Sequence, residues 1–111
     1  MNRQADTLTT NTRNHMKHMD SYLIVIENGK KNYSAFSPDV PGCIATDATL
    51  EKTIARMRSA LKFHLEAEDA IPEPKGIEWH FREDPELRAD QGRLIFAYIP
   101  VADVVPALVH A

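Results

Sequence analysis

Apolar and polar positions change rhythm several times along these 111 residues. Tyr22 to Glu27, YLIVIE, is apolar or β-branched at almost every position, the pattern of a strand covered on both faces. NGKK follows, and Asn28-Gly29 predicts a tight hairpin because both residues tolerate positive φ. Asn32 to Phe36 is then the antiparallel return strand, and CIATD, after a Pro/Gly corner, is a third short strand. From Thr49 to about Asp69 the period lengthens, with Leu50, Ile54, Met57, Leu61 and Leu65 forming one apolar stripe of helical spacing. Thr49 can cap this helix, and Glu51 sits in its first turn, where the helix dipole favours an acid. IPEPKG, Ile71 to Gly76, ends it. IEWHFR then alternates perfectly and predicts a strand over 77–82, although Ile77 and Phe81 would also suit a helix. EDPELRADQG is a polar loop with at most one helical turn. Arg93 to Val101, RLIFAYIPV, is a buried strand, and Pro100 places its end near a sheet edge.

The order is ββ(β)α(β)β, an α+β fold in which a small antiparallel-rich sheet carries one long helix on one face. One helix covers only one face, yet Tyr22–Ile26 and Leu94–Ile99 are apolar on both sides. A second copy of the chain is therefore expected over the other face, making a homodimer or higher oligomer. The alternative cover is the C-terminal ADVVPALVHA, folding back. Residues 1–20 are Thr- and Asn-rich without periodicity and are expected to be a disordered tail ahead of a single domain spanning 21–111. That tail has no apolar core of a secretory signal, and no apolar run approaches the roughly 18 residues of a membrane span. With a single cysteine and nothing suggesting export, a cytoplasmic protein is expected. The formal net charge is −3 with no basic stripe, which argues against nucleic-acid binding by the folded body and favours a basic protein partner.

The densest candidate for chemistry is FSPDVPGCIAT, with Pro38, Asp39, Pro41, Gly42 and Cys43 in six positions. Pro41-Gly42 suits the centre of a type II turn, so the stretch reads as a structural corner. A nucleophilic Cys43 would need a base or a depressed pKa. No histidine is near it in sequence, and a buried structural thiol is expected. His15 and His18 have ligand spacing but no further ligand nearby. His64 borders the helical stripe, His80 lies on the polar side of the expected strand, and His110 is terminal. Glu27, Asp39 and Asp47 could form a nuclease metal set only if they converged from several strands, and Asp39 sits in a turn. The glycines have no phosphate-loop spacing. No catalytic residue, metal or cofactor is expected. Glu66, Glu68, Asp69 and Glu73 do break a local rule, because a helix C-terminus favours cations. They are either a solvated end or an electronegative docking patch for a basic partner.

In order, YSAFSPDVPGC, the Thr-initiated helix, FHLE and IPEP resemble the N-terminal domain of HicB-type antitoxins of bacterial type II toxin–antitoxin systems. The resemblance covers about Tyr22 to Pro74. It implies a degenerate ribonuclease H-like fold without catalysis, which binds and masks a small basic HicA-type toxin that cleaves mRNA. It also assigns Pro38, Asp39, Pro41, Gly42 and Cys43 to the family's corner motif. Many such antitoxins continue into a helix-turn-helix or ribbon-helix-helix segment. Here about ten residues follow the last strand, so DNA binding by this chain alone is not expected. Asp47-Ala48 stands where the family often has glycine, and Gly76 to Ala111 match no motif. Such proteins usually begin just before the first strand, which makes Met19 or Met16 the expected start. The alternative function is a stand-alone homo-oligomeric scaffold or small-ligand binder of the same fold.

Overall fold

The structure, a computed structural model, describes residues 20–105. The expected N-terminal tail with His15 and His18, and the end of the chain with His110, lie outside the described residues. Four strands, β1 (Ser21–Asn28), β2 (Tyr33–Phe36), β3 (Ile44–Asp47) and β4 (Ile95–Pro100), form one antiparallel sheet in the order β3-β2-β1-β4. The helices are α1 (Leu50–Glu66), α2 (Ile77–Glu83) and α3 (Pro85–Ala89). Among the described residues, no helix is long and apolar enough to cross a membrane.

β1 is central, and its run of apolar residues has the predicted consequence. Alternate side chains leave a strand on opposite faces. Tyr22, Ile24 and Ile26 therefore enter one core and Leu23 and Val25 another, and all five are buried. The first core is closed by α1, whose Met57, Leu61 and Leu65 are buried and whose Leu50 and Ile54 are half-buried. Thr53, absent from the apolar stripe, is buried too. Its hydroxyl donates to the Thr49 carbonyl at 2.7 Å, which removes the cost of burying it. Thr49 caps the helix as its spacing predicts, accepting the Lys52 N–H at 3.1 Å. The helix stops at Glu66, three residues before the expected Asp69, where the Ala67 N–H turns back onto the His64 and Leu65 carbonyls. After β4 the chain folds onto this same core, with Val104 fully buried beside Val101 and Val105.

The expected strand over 77–82 is a helix, α2. Gly76 opens it at φ +87°, a left-handed conformation that favours glycine. Helical spacing sends Ile77 and Phe81 to one side, where they pack with Leu23, Val25, Phe96 and Leu87 of α3. Phe81 meets Phe96 edge-on at 5.6 Å between ring centroids. Trp79, which strict alternation would bury with them, is exposed under the ammonium of Lys75. The polar loop that follows holds α3, started by Pro85 and capped by Asp84, whose carboxylate accepts the Glu86 and Leu87 N–H groups at 3.1 and 3.2 Å. The second face of β1 and β4 is thus covered by α2 and α3, and neither a second copy nor the C-terminal segment is needed there. Two short helices supply what the pattern of one long helix left open.

The hairpin also differs from expectation. Asn28 is still in β1, opposite Tyr33, and the turn is closed by the Gly29 N–H donating to the Asn32 carbonyl at 2.8 Å. Neither Asn28 nor Gly29 has positive φ, so the longer loop replaces the two-residue turn. At the other end β4 is an edge strand, as Pro100 indicates.

The helical reading of 77–83 separates two residues that a strand would treat alike. Phe81→Ala should lower the unfolding free energy by about 3 kcal/mol, and Trp79→Ala by less than about 1 kcal/mol. Urea melts of the two variants check this, and equal losses would restore the strand.

Candidate functional site

The corner between β2 and β3 consists of two successive turns. The Val40 N–H donates to the Ser37 carbonyl at 3.2 Å, and the Cys43 N–H to the Val40 carbonyl at 3.3 Å. Gly42 has φ +90°, as the third position of a type II turn requires. At the third position of the first turn the chain drops the Asp39 side chain into the protein, fully enclosed. There β2 has already left the sheet, and the carboxylate takes over as acceptor for β1, receiving the Leu23 N–H at 2.8 Å on Oδ2. Its Oδ1 receives the Lys75 N–H at 3.0 Å and lies 2.6 Å from Nε2 of buried His80. One side chain therefore joins the corner, the central strand, the crossing that follows α1, and α2.

The sequence placed His80 on an exposed polar side. Its burial follows from α2 being a helix, which turns residue 80 toward Asp39 while Ile77 and Phe81 face the core. The same crossing is held a second time, since the Tyr22 hydroxyl donates to the Pro72 carbonyl at 2.8 Å. Burial, with a smaller contribution from the nearby Asp39 carboxylate, pushes the Tyr22 phenol up to about 12. Tyr98 is raised as well, by burial first and then by Asp39 and Glu78. These partnerships join residues 36 to 50 positions apart, so no local pattern announces them.

Cys43 is buried in the α1 core, and burial raises its thiol above the usual value, which favours the unreactive form. The fold does bring a histidine to this corner, because Cε1 of His64 lies 3.9 Å from where a Cβ at Gly42 would stand. His64 Nε2 is engaged elsewhere, 3.0 Å from Glu68 Oε1. The three carboxylates of a conceivable metal set stay apart. Glu27 accepts from Arg93 Nη1 at 2.6 Å, Asp39 is committed as described, and Asp47 pairs with Arg56, which holds its carboxyl below the usual range. Among the described residues, no group of three or more His, Cys, Asp or Glu is placed to hold a metal ion.

The acidic quartet divides. Glu66 ends α1, Glu68 pairs with His64, and Asp69 is exposed just beyond. The proline-flanked Glu73 is carried further, to an open groove of about 910 Å³ between the crossing and the end of β4. Ile71, Pro72, Pro74, Tyr98 and Pro100 give this groove apolar walls, and Asp20 joins Glu73 on its rim. It is the kind of surface that accepts an apolar segment flanked by positive charge.

A family model described as HicB_like antitoxin of bacterial toxin-antitoxin system matches residues 22–104. The chain belongs to the HicB-like antitoxin family. The match runs through α2, α3 and β4, well past the motifs legible in the sequence. Solved structures share the fold. The N-terminal domain of the Burkholderia pseudomallei antitoxin HicB is 22% identical with a TM-score of 0.59, over 73% of this chain and 96% of that one. A chain of the HicA3 and HicB3 toxin-antitoxin complex is 22% identical with a TM-score of 0.54, over 70% of this chain and 93% of that one. The antitoxin HicB3 is 21% identical with a TM-score of 0.59, over 73% of this chain but 61% of its own length. No curated protein matched.

Two measurements probe the anchor. Asp39→Ala strands His80 and two N–H groups in the interior, and should cost about 3 kcal/mol or more in a urea melt. His80→Ala added to it should cost much less than His80→Ala alone, because the pair acts as a unit. In alkali, unfolded tyrosine loses its proton near pH 10, while folded Tyr22 keeps it to about 12. The folded state then binds more protons, so this contribution to stability is complete below about pH 10 and is lost as pH rises toward 12. The urea midpoint should fall across that window, and less steeply in Tyr22→Phe.

Proposed function

We propose that this chain is a toxin-neutralising binding protein, which captures a small basic HicA-type ribonuclease and masks it without catalysis of its own. The observation that carries this reading is the family match across residues 22–104. The pairing of HicA3 with HicB3 in a complex whose chain shares this fold supports the class of partner. Binding without catalysis is supported by the commitment of Asp39, His80, Glu27 and Asp47 to structural partners. A toxin that acts on mRNA places the encounter in the cytoplasm. Residues 21–111 act as one domain, through protein contact.

The contact surface is the acid-rimmed groove. Asp69 and Glu73, with Glu66 and Glu68 behind them, draw in the basic partner, and the wall of prolines and Tyr98 receives its apolar residues. Pinning of the crossing by Tyr22 and Asp39 keeps this wall preorganised, which lowers the cost of docking.

Where a small basic reading frame lies adjacent to this gene, co-expression with this chain should rescue growth from its toxicity, and the two products should co-purify. Absence of both effects would favour the stand-alone scaffold. The double variant Asp69→Lys/Glu73→Lys should associate about tenfold more slowly than the parent at low salt, with the difference shrinking as salt is raised. Its melting temperature should hold or rise, since cations suit the region after a helix C-terminus. An unchanged association rate would move the contact away from the groove.

A further inference from the structure

The first residue the structure describes is already part of the acid-rimmed groove. Asp20 lines it together with Ser21, and the Asp20 carbonyl accepts the Val101 N–H at 2.9 Å. The chain thus enters β1 from a fixed point on the rim, and whatever precedes Asp20 leaves from the groove itself. The sequence there is RNHMKHM, residues 13–19, with Arg13, Lys17, two histidines, two methionines and no acid. The groove calls for both properties. Asp20 and Glu73 stand on its rim, with Asp69 and Asp103 exposed close by in the chain, so it attracts cations. Its walls are the rings of Pro72, Pro74 and Tyr98. Methionine suits such an irregular wall, being unbranched, and its thioether sulfur is attracted to an aromatic ring.

Length and attachment favour this end of the chain over the other. Seven residues extend over at most about 25 Å, enough to cross a groove of about 910 Å³. Attachment at the rim sets an effective concentration in the millimolar range, so a contact too weak to form between separate molecules is filled within one. Residues 106–111, PALVHA, carry no lysine or arginine. The chain also turns away before reaching them, since Val104 and Val105 pack in the α1 core, on the face of the sheet opposite Tyr98.

We propose that residues 13–19 occupy the acid-rimmed groove of their own chain, methionines against the wall of prolines and Tyr98 and Arg13 and Lys17 over the acidic rim, as an internal occupant that a basic partner must displace. Docking of the segment stands on the groove alone, whereas its competition with a toxin rests on the function proposed above. With an effective concentration about fourfold above the dissociation constant of the contact, the groove is open about a fifth of the time, and a partner associates about fivefold more slowly.

A nitroxide on Asn14→Cys in the full chain reads the docking without any toxin, since Cys43 is buried from the label. It should broaden the NMR signals of Ile71 and Tyr98 and spare Ile44, in β3 at the far edge of the sheet. Arg13→Glu/Lys17→Glu or high salt should abolish the broadening, and Glu73→Lys added to that variant should restore part of it. Met16→Ser/Met19→Ser, which leaves the net charge unchanged, should also abolish it and should bind a basic toxin about fivefold faster than the parent. Signals of Ile71 and Tyr98 that ignore the label overturn the proposal, as does broadening that arises only between separate copies. So do groove signals that move with Leu108→Ser and not with the changes at 13–19, which would seat the C-terminal segment there. If the methionine variant loses the broadening but keeps the parent's association rate, the docking stands and the toxin contact lies outside the groove, so the two readings fail separately.

Discussion

The carboxylate of Asp39 is the constraint on which the rest of this fold depends. A buried charge is tolerated only when its lone pairs are occupied, and here the occupants are the Leu23 and Lys75 N–H groups and His80. Each belongs to a different element. Satisfying one side chain therefore fixes where the crossing runs after α1 and how α2 is rotated. The rotation that offers His80 to Asp39 is the same one that lays Ile77 and Phe81 on Leu23 and Val25. Polar satisfaction and apolar burial select a single arrangement, which is how a sequence comes to specify one structure.

This arrangement also explains why an antitoxin of this kind can offer a rigid surface from a loop. Ile71 to Gly76 has neither helix nor strand, yet Tyr22 holds its Pro72 carbonyl and Asp39 its Lys75 N–H. Three prolines, Pro72, Pro74 and Pro100, stiffen the groove further. The groove inherits its shape from the core of the protein and not from its own hydrogen bonds.

Much of the fold was legible in the residues, because local rules govern those parts. The bilateral burial of β1, the Thr49 cap, the stripe of α1 and the turn at Gly42 each follow from a few neighbouring positions. The family, too, could be read from the ordered motifs before α2. What misled was IEWHFR, where alternation and helical spacing both accommodate Ile77 and Phe81. The deciding fact was a partner for His80 that lies 41 positions away. Without α2 in view, the second face of the sheet looked vacant, and an oligomer was invoked to fill it. The acidic residues were legible as an anomaly, but the groove beside Glu73 was not, since its walls come from segments on either side of α2 and α3.

The placement of β4 bears on how the chain is born. β1 lies between β2, which follows it at once, and β4, which is made some seventy residues later. Until that last strand leaves the ribosome, β1 has only half its ladder, and Leu23 and Val25 lack Phe96 and Leu94 beneath them. The β1–β2–β3 meander and α1 can assemble early, since their contacts are near in sequence, whereas closure of the second core waits for β4. The nascent domain is thus incomplete on its β4 side until that strand has emerged. The walls that Tyr98 and Pro100 give to the groove come from the last strand of the sheet to be made. The groove takes its full shape only once β4 has joined the sheet.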